Sequence, residues 1–444
     1  MTTERPRLSV VGTGYLGVTH AVCMAELGHE VIGLDVDADK IALLRKGVVP
    51  FYEPDLPDLL EKHNGRSLRF TTDYAELAES ADIHFVCVGT PQLPGQYGAD
   101  LRHVESAFAS LARHLTRQSL VVGKSTVPAG TAVRMAQLVR DLAPSPDAEV
   151  AWNPEFLREG FAVADTLRPD RLVFGVESEW AETQLRAAFA PVIDQGAPVV
   201  VTDFATAELV KVAANSFLAT KISFINAMAE VCEATGADVT QLATAIGYDP
   251  RIGRRFLAPG LGFGGGCLPK DIRAFIARAG ELGVDQAVSF LREVDEINLR
   301  RRARTVEIGL DLVDGSYQGI RVTVLGAAFK PDSDDIRDSP ALDVAAAISR
   351  QGADVVVYDP HAMDNARRLH PELDYAVSLD AALDGADLVL LLTEWAEFRA
   401  MDPTAIGGIV RQRNVVDGRN VLDPVVWRAA GWHYRALGDR KSVV

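Results

Sequence analysis

Two α/β units built on parallel sheets, joined through a helical middle, form the architecture that the sequence predicts. Three observations point to it. An apolar strand, Leu8-Ser9-Val10-Val11, runs straight into the turn Gly12-Thr13-Gly14-Tyr15-Leu16-Gly17 and then into a helical pattern. From Ala205 to about Ala234 the chain keeps helical periodicity with no Pro or Gly. After Arg321 the strand–turn–helix order of the N-terminal part returns in outline. Boundaries drawn on these patterns give domains of residues 1–203, 204–305 and 306–444.

In the first unit each part of the turn has a physical task. Gly12 permits the tight turn, Gly14 lets a pyrophosphate approach the backbone, and Gly17 allows close helix–strand packing. The N–H groups of Tyr15 and Leu16 open the helix, where free donors and the helix dipole favour an anion. The helical pattern runs through Leu27, and Gly28 fits its stop. Val31-Ile32-Gly33-Leu34 reads as a second strand and delivers Asp35 where an acid accepts the ribose hydroxyls, which favours NAD over NADP. This is the order of a Rossmann-type NAD-binding domain. Lys40 either helps hold the adenosine end or is a solvated helix lysine. Ala81 to Val88 reads as a strand ending in Gly89-Thr90-Pro91, and Ser119 to Gly123 as one ending in Lys124-Ser125-Thr126-Val127-Pro128. Ligands of open parallel sheets sit at such carboxyl ends, so Thr90 and Thr126 face a crevice or mark ordinary turns.

Composition narrows the class. The chain has 444 residues, 48% hydrophobic and 24% charged, ample for several buried cores. Its formal net charge of −16 argues against a nucleic-acid or acidic-membrane partner. No apolar run approaches the ~20 residues of a membrane helix. Met1 to Leu8 carries arginines but no following apolar region or cleavage site, so no signal peptide is expected. Cys23, Cys87, Cys232 and Cys267 form neither a CxxC pair nor a metal-ligand spacing; reduced thiols, a cytoplasmic protein and no metal are the expectation.

In the middle region Glu208, Lys211 and Asn215 recur at spacings of three and four and share one helix face, which is either a solvated stripe or a functional one. Leu282 to about Asp311 reads as a second long helix with an Arg-rich stretch, Arg300 to Arg304. Such helices often serve as dimer contacts. In the last third, Arg321 to Leu325, Val355 to Tyr358 and Ala386 to Leu392 read as strands, with a helix through Ala341 to Ser349. The first turn here, Gly326-Ala327-Ala328-Phe329-Lys330, lacks the second and third glycines. It suits a mononucleotide better than a dinucleotide, with Lys330 and Arg419 as candidate ligands or plain surface charges.

The stretch Gly262-Phe263-Gly264-Gly265-Gly266-Cys267-Leu268-Pro269-Lys270-Asp271 carries the chemistry. Dense glycine lets backbone approach a ligand, and a nearby cation favours the nucleophilic thiolate. A thiol paired with a nicotinamide suggests a course of two oxidations. Hydride leaves an alcohol, thiolate adds to the aldehyde, a second hydride leaves the thiohemiacetal, and water cleaves the thioester. That course needs a base and oxyanion donors, and Lys211, Asn215, Thr126, Asp271 and Glu155 are the residue types required.

With these motifs in view, the chain resembles the UDP-glucose/GDP-mannose dehydrogenase family, in its UDP-glucose branch, from Gly12 to Arg419. The motifs are Val11–Gly17, Val88–Pro91, Lys124–Gly130, Asn153–Gly160, Lys211–Asn215, Arg251–Gly253, Gly262–Asp271 and Phe329–Pro340. The resemblance implies an NAD-binding domain, a central helical dimerisation region and a C-terminal UDP-binding domain. It implies Cys267 as the nucleophile, Lys211 and Asn215 as oxyanion donors, and Asp271 and Thr126 as holders of the water. Glu155 would be the base of hydrolysis, with Glu159 close by; Glu159 and Lys270 join the cofactor-binding set. Phe156, Leu157 and the loop from Phe256 through Gly260 and Phe263 to Gly264 would hold sugar and uridine. Phe329, Lys330 and Arg419 would bind the nucleotide. Arg251 would reach the substrate of a neighbouring subunit, hence a homodimer. The implied reaction is UDP-glucose to UDP-glucuronate, feeding polysaccharide biosynthesis.

Leu268 stands where Phe is frequent in the family, and Gly266 is at a variable position; neither change removes a chemical group. UDP-N-acetylhexosamine and GDP-mannose remain alternative substrates. A single-step hydroxyacid dehydrogenase would need neither Cys267 nor residues 321 to 425, and a catalytically silent nucleotide sensor would lack one or more of the chemical residues that are present.

Overall fold

A computed structural model describes residues 5–439. Met1–Glu4, part of the stretch read above for a signal peptide, and the last five residues of the expected third domain lie outside the described residues. The chain divides into two compact units. The first holds the residues up to Ala214 together with Arg273–Gly283, and the second holds Asn215–Ile272 and the residues from Val284 onward.

The first unit is an eight-stranded sheet. Its strands are β1 (Leu8–Val11), β2 (Val31–Leu34), β3 (Leu68–Thr71), β4 (Ile83–Val86), β5 (Ser119–Gly123), β6 (Ala148–Trp152), β7 (Leu172–Gly175) and β8 (Val199–Thr202), in the order β3-β2-β1-β4-β5-β6-β7-β8. β1 to β6 pair in parallel; β7 meets β6 antiparallel at Gly175 and Trp152, and β8 runs parallel to β7. Alternation of side chains along each strand feeds two cores. Val10, Phe85, Leu120 and Val122 join one face, and Val11, Val86, Val121 and Trp152 the other. Such strands are covered on both sides, which is why they read as unbroken apolar runs. Each fully buried Leu or Phe contributes about 1.5–3 kcal/mol.

The second unit contains a six-stranded parallel sheet. Its strands are β9 (Arg321–Leu325), β10 (Asp354–Tyr358), β11 (Asp374–Tyr375), β12 (Leu388–Leu391), β13 (Asn414–Asp417) and β14 (His433–Ala436), in the order β11-β10-β9-β12-β13-β14. Both sheets therefore place their first strand beside the second and the fourth, the order of a doubly wound fold.

Some boundaries differ from the sequence expectation. β4 is shorter than Ala81 to Val88 because Ala81 ends the helix Tyr74–Ser80. β12 likewise covers only part of Ala386 to Leu392. The helix expected from Leu282 begins later: helix Leu268–Glu281 ends first, Gly283 turns the chain at φ +73°, a 3-10 turn covers Asp285–Val288, and the long helix is Phe290–Leu312. The helix read from Ala205 is Phe204–Thr235. Among the described residues no helix is long and apolar enough to cross a membrane.

Candidate active site

The turn after β1 has the geometry that its glycines predict. Gly12 sits at φ +90°, a conformation open to glycine and strained for other residues. A Cβ on Gly17 would collide with the Gly12 carbonyl oxygen, whereas one on Gly14 meets nothing within 4 Å. The helix Tyr15–Glu26 starts there without a side-chain cap, so its first N–H groups remain available to an anion. Asp35 follows β2; its Oδ2 accepts from the Thr13 amide at 2.9 Å, the Thr13 hydroxyl at 2.9 Å and Lys40 Nζ at 2.9 Å. Burial opposes ionisation of Asp35, but these bonds outweigh it and hold the carboxyl below its ordinary range. Lys40 is thus bound to Asp35. An open Gly14, an uncapped helix and an ionised acid fit a dinucleotide.

Behind this turn, the Tyr15 hydroxyl donates to Glu53, whose carboxylate also accepts the amides of Gly160 at 2.6 Å and Ala162 at 2.7 Å. Burial foremost, then the Glu53 carboxylate, raises the Tyr15 phenol far above its usual range, and Glu159 lies near enough to add to the effect. Glu53 therefore fastens the cofactor turn to the Glu155–Gly160 segment. Sequence reading missed it because its partners lie up to 110 residues away.

The carboxyl ends of β4, β5 and β6 converge. The Thr90 hydroxyl donates to the Thr126 carbonyl at 2.8 Å, and Ser125 Oγ to the Val88 carbonyl at 2.6 Å. Lys124 Nζ donates to Asn153 Oδ1 at 2.8 Å. Two residues on, Glu155 Oε1 lies 3.0 Å from Lys211 Nζ, with the lysine side chain 6% and the glutamate side chain 13% exposed. The Lys211 ammonium also stands 5.5 Å from the centre of the Phe156 ring, against which Arg171 stacks at 3.8 Å. Glu155 Oε2 accepts the Leu157 amide at 2.8 Å. Glu208, one turn before Lys211, accepts the amides of Gly130 at 2.7 Å and Ala132 at 2.6 Å, capping helix Thr131–Leu142 and holding the segment that follows Thr126. The Glu208–Lys211–Asn215 stripe is buried throughout, which settles the choice between a solvated and an internal face.

The second unit holds the cysteine loop. Cys267 is exposed, while Cys23, Cys87 and Cys232 are buried. Burial pushes the Cys23 and Cys87 thiols up to about 12 and raises that of Cys232. The Cys267 carbonyl accepts the Asp271 amide at 2.9 Å, so the cysteine stands immediately before helix Leu268–Glu281, and helix N-termini favour thiolate. Lys270 and Asp271 lie in the first helical turn rather than in the loop. Asp271 Oδ1 is 2.6 Å from Lys270 Nζ, and its Oδ2 accepts from Asn215 Nδ2 at 2.7 Å.

The loop before Cys267 is clamped by amides that the sequence did not single out. Asn226 Oδ1 accepts the Gly260 amide at 2.8 Å. Asn298 holds Phe263 by both backbone groups, at 2.7 and 2.9 Å. Phe256 takes φ +65°, a strained value for an aromatic residue. Arg419 lies against this loop: its guanidinium donates to the carbonyls of Leu392 at 2.7 Å, Gly262 at 3.1 Å and Phe329 at 3.2 Å. Lys330 Nζ lies 5.8 Å from the Phe329 ring centre. Arg251 is 87% exposed along its side chain and pairs with Asp249 at 2.6 Å. Asp359, which follows β10 as Asp35 follows β2, is consumed internally by the amides of Ala327 and Ala328 and by Trp395 Nε1 at 3.0 Å.

A dinucleotide turn with its acid, a buried lysine–glutamate pair and an exposed cysteine at a helix start define an NAD-dependent oxidoreductase. The chain belongs to the UDP-glucose/GDP-mannose dehydrogenase family. The family's NAD binding domain matches residues 6–193, its central domain residues 205–300 and its UDP binding domain residues 323–424. The chain is 39% identical to a UDP-glucose 6-dehydrogenase of Bacillus subtilis, over 97% of this chain and 93% of that protein. It is similar to the structure of a UDP-glucose dehydrogenase from Pyrobaculum islandicum, with TM-score 0.88 and 39% identity over 96% of this chain and 99% of that one. It is also similar to a UDP-D-ManNAc dehydrogenase from Pyrococcus horikoshii, with TM-score 0.86 and 27% identity over 99% and 100% of the two chains.

Proposed function

We propose that the chain oxidises UDP-glucose to UDP-glucuronate in two NAD-dependent steps through a thioester on Cys267. The observation that carries the chemistry is the contrast among the cysteines: three are buried with raised thiols, and Cys267 alone of the four is exposed, at the start of a helix. The choice of sugar is supported by 39% identity to UDP-glucose enzymes against 27% to a UDP-D-ManNAc enzyme.

Gly12–Gly17 and Asp35 would hold NAD, which when bound supplies the hydride acceptor for both oxidations. The residues do the rest. Cys267 attacks the aldehyde carbon, forming a C–S bond. Lys211 and Asn215 donate to the oxygen as negative charge develops there. After the second oxidation, Thr126 and Asp271 hold a water, Glu155 removes its proton, and the C–S bond breaks to release the carboxylate. Phe156, Leu157 and the Phe256–Gly264 loop hold the sugar and uridine, and Phe329, Lys330 and Arg419 the diphosphate end. The balance is one sugar alcohol, two NAD+ and one water giving one carboxylate, two NADH and three protons. Comparing kcat/KM for UDP-glucose, UDP-N-acetylhexosamine and GDP-mannose tests the reading; a preference for either of the latter overturns the choice of sugar.

The assembly proposed is a homodimer. Phe217, Phe224 and Val231 recur every seven residues of helix Phe204–Thr235 and are 67%, 49% and 51% exposed, a seam that a second copy would cover, and the exposed Arg251 would act in trans. The net charge of −16 and reduced buried thiols support a cytoplasmic enzyme with no nucleic-acid or membrane partner.

A further inference from the structure

Lys124 carries a charge that the fold does not need. It follows β5 directly and is buried, yet its ammonium donates to one neutral acceptor, Asn153 Oδ1 at 2.8 Å, and otherwise faces the Phe85 and Phe189 rings at 5.7 and 5.6 Å. Among the described residues no carboxylate lies within ion-pair distance of it. A buried ammonium without such a partner is expensive. Joining β5 to β6 does not explain it, because the two strands already pair in register and the Asn153 amide donates to the Gly123 carbonyl at 2.8 Å. An uncharged side chain would fill the space at lower cost.

The ionisable groups facing Lys124 come from four elements. Their charges act on Lys124 or are acted on by it: His20 on the helix after β1, Cys87 just past β4, Glu155 on the segment after β6, and Lys211 on helix Phe204–Thr235. Burial keeps His20 well below its usual range and Cys87 up at about 12, so both are neutral. The charged groups are thus Glu155, Lys211 and Lys124. The Glu155–Lys211 pair is neutral as a whole, and a neutral pair offers a developing anion only a dipole. With Lys124 the cluster carries one net positive charge.

We propose that Lys124 is a positioning residue for the Glu155–Lys211 pair, its ammonium tethered through Asn153 to the segment that bears Glu155 and supplying the fixed positive charge that steadies negative charge at the reacting oxygen. The proposal rests on the reading above, in which Lys211 is an oxyanion donor and Glu155 the base. Burial pushes the Lys124 ammonium down to about 8, so its charge is full below that pH and is lost as the pH rises through it.

The experiment uses the full chain. Wild-type protein is first given NAD and UDP-glucose, UDP-N-acetylhexosamine or GDP-mannose in turn. Two NADH from any one of them keeps the chemistry in place, whichever sugar it is; none from all three removes that reading and this proposal with it. With the active sugar, kcat and KM are then measured against pH for K124M, K124R and the double variant K124M/N153L, each checked for a cooperative melt. The double variant removes the Lys124 donor and the Asn153 acceptor together, at the cost of the Asn153 Nδ2 bond to the Val173 carbonyl, which the melt will register. The expected result is a kcat lower by about tenfold or more in the methionine variants, with KM nearly unchanged. The wild-type rate should fall through about pH 8 on the alkaline side, that limb should vanish in the methionine variants, and K124R should hold its rate to higher pH. Folded methionine variants with wild-type kcat and an unchanged alkaline limb overturn the proposal. Should neither methionine variant fold, a K124R profile superimposable on wild type overturns it.

Discussion

The Lys211 ammonium lies 3.0 Å from the Glu155 carboxylate, both side chains nearly removed from water. Breaking a buried pair by removing one charge leaves the other uncompensated, at about 3–5 kcal/mol. Glu155→Gln is therefore expected to lower the melting temperature, and also to stop the reaction after the second oxidation. Rapid mixing should show a burst of two NADH per site, then a steady rate reduced by about 10²-fold or more. A linear trace at the wild-type rate contradicts the role of base.

Cys267→Ser is expected to abolish sustained turnover, because an ester formed in place of the thioester hydrolyses poorly. Mass spectrometry of the stalled variant should find a covalent sugar adduct on the peptide that carries the substitution. Steady NADH production at the wild-type rate removes the nucleophile assignment.

Asp35 accepts from the Thr13 amide of the turn and from Lys40. Asp35→Ala is expected to raise KM for NAD about tenfold or more and to leave KM for the sugar nucleotide nearly unchanged. Equal rises in both constants would mark Asp35 as a structural acid.

Glu208 accepts two amides at the start of helix Thr131–Leu142. Glu208→Gln keeps the shape but puts a donor against a donor, so a loss of about 1–3 kcal/mol is expected in urea unfolding. An unchanged midpoint says that the cap is dispensable.

His84 is sealed in the first unit beside Ser9, with Ser9 Oγ 2.8 Å from its Nδ1. Burial, with a smaller contribution from Arg117, pushes it down to about 3. A depressed folded-state pKa stabilises the fold above the unfolded value of about 6.5. That stability drains away as pH falls from there toward 3, because the unfolded chain takes up a proton that the folded chain refuses. Unfolding free energy should fall by about 1.4 kcal/mol per pH unit across this window, and His84→Gln should flatten the slope. Parallel curves for the two proteins contradict this account.

What was legible in the sequence was local. The Gly12–Gly17 turn, Asp35 and the glycine-dense run before Cys267 announce themselves because glycine is needed where backbone turns sharply or is approached closely. The second unit was legible from its strand order, although its acid, Asp359, proved to be spent on Trp395 and the turn it follows. What was hidden depends on distant partners. Asn226 and Asn298 reach the loop from helices 34 and 35 residues away, and helical periodicity does not say which polar residue faces inward. Glu208 and Lys211 were visible as a stripe, but only burial shows that the stripe is internal. Lys124 could have been found: a lysine directly after five strand residues, Ser119–Gly123, is a charge at the carboxyl end of a buried parallel strand. The late start of helix Phe290–Leu312 turns on one glycine, Gly283, that helical periodicity alone overrides.

The central claim is two oxidations at one carbon through Cys267, and counting NADH tests it most directly. Purified protein is mixed with excess NAD and limiting UDP-glucose, and absorbance gives the NADH formed per sugar consumed. Two NADH per sugar with UDP-glucuronate as product is the expected result. One NADH per sugar with an aldehyde product would contradict the claim and take the thioester away from Cys267.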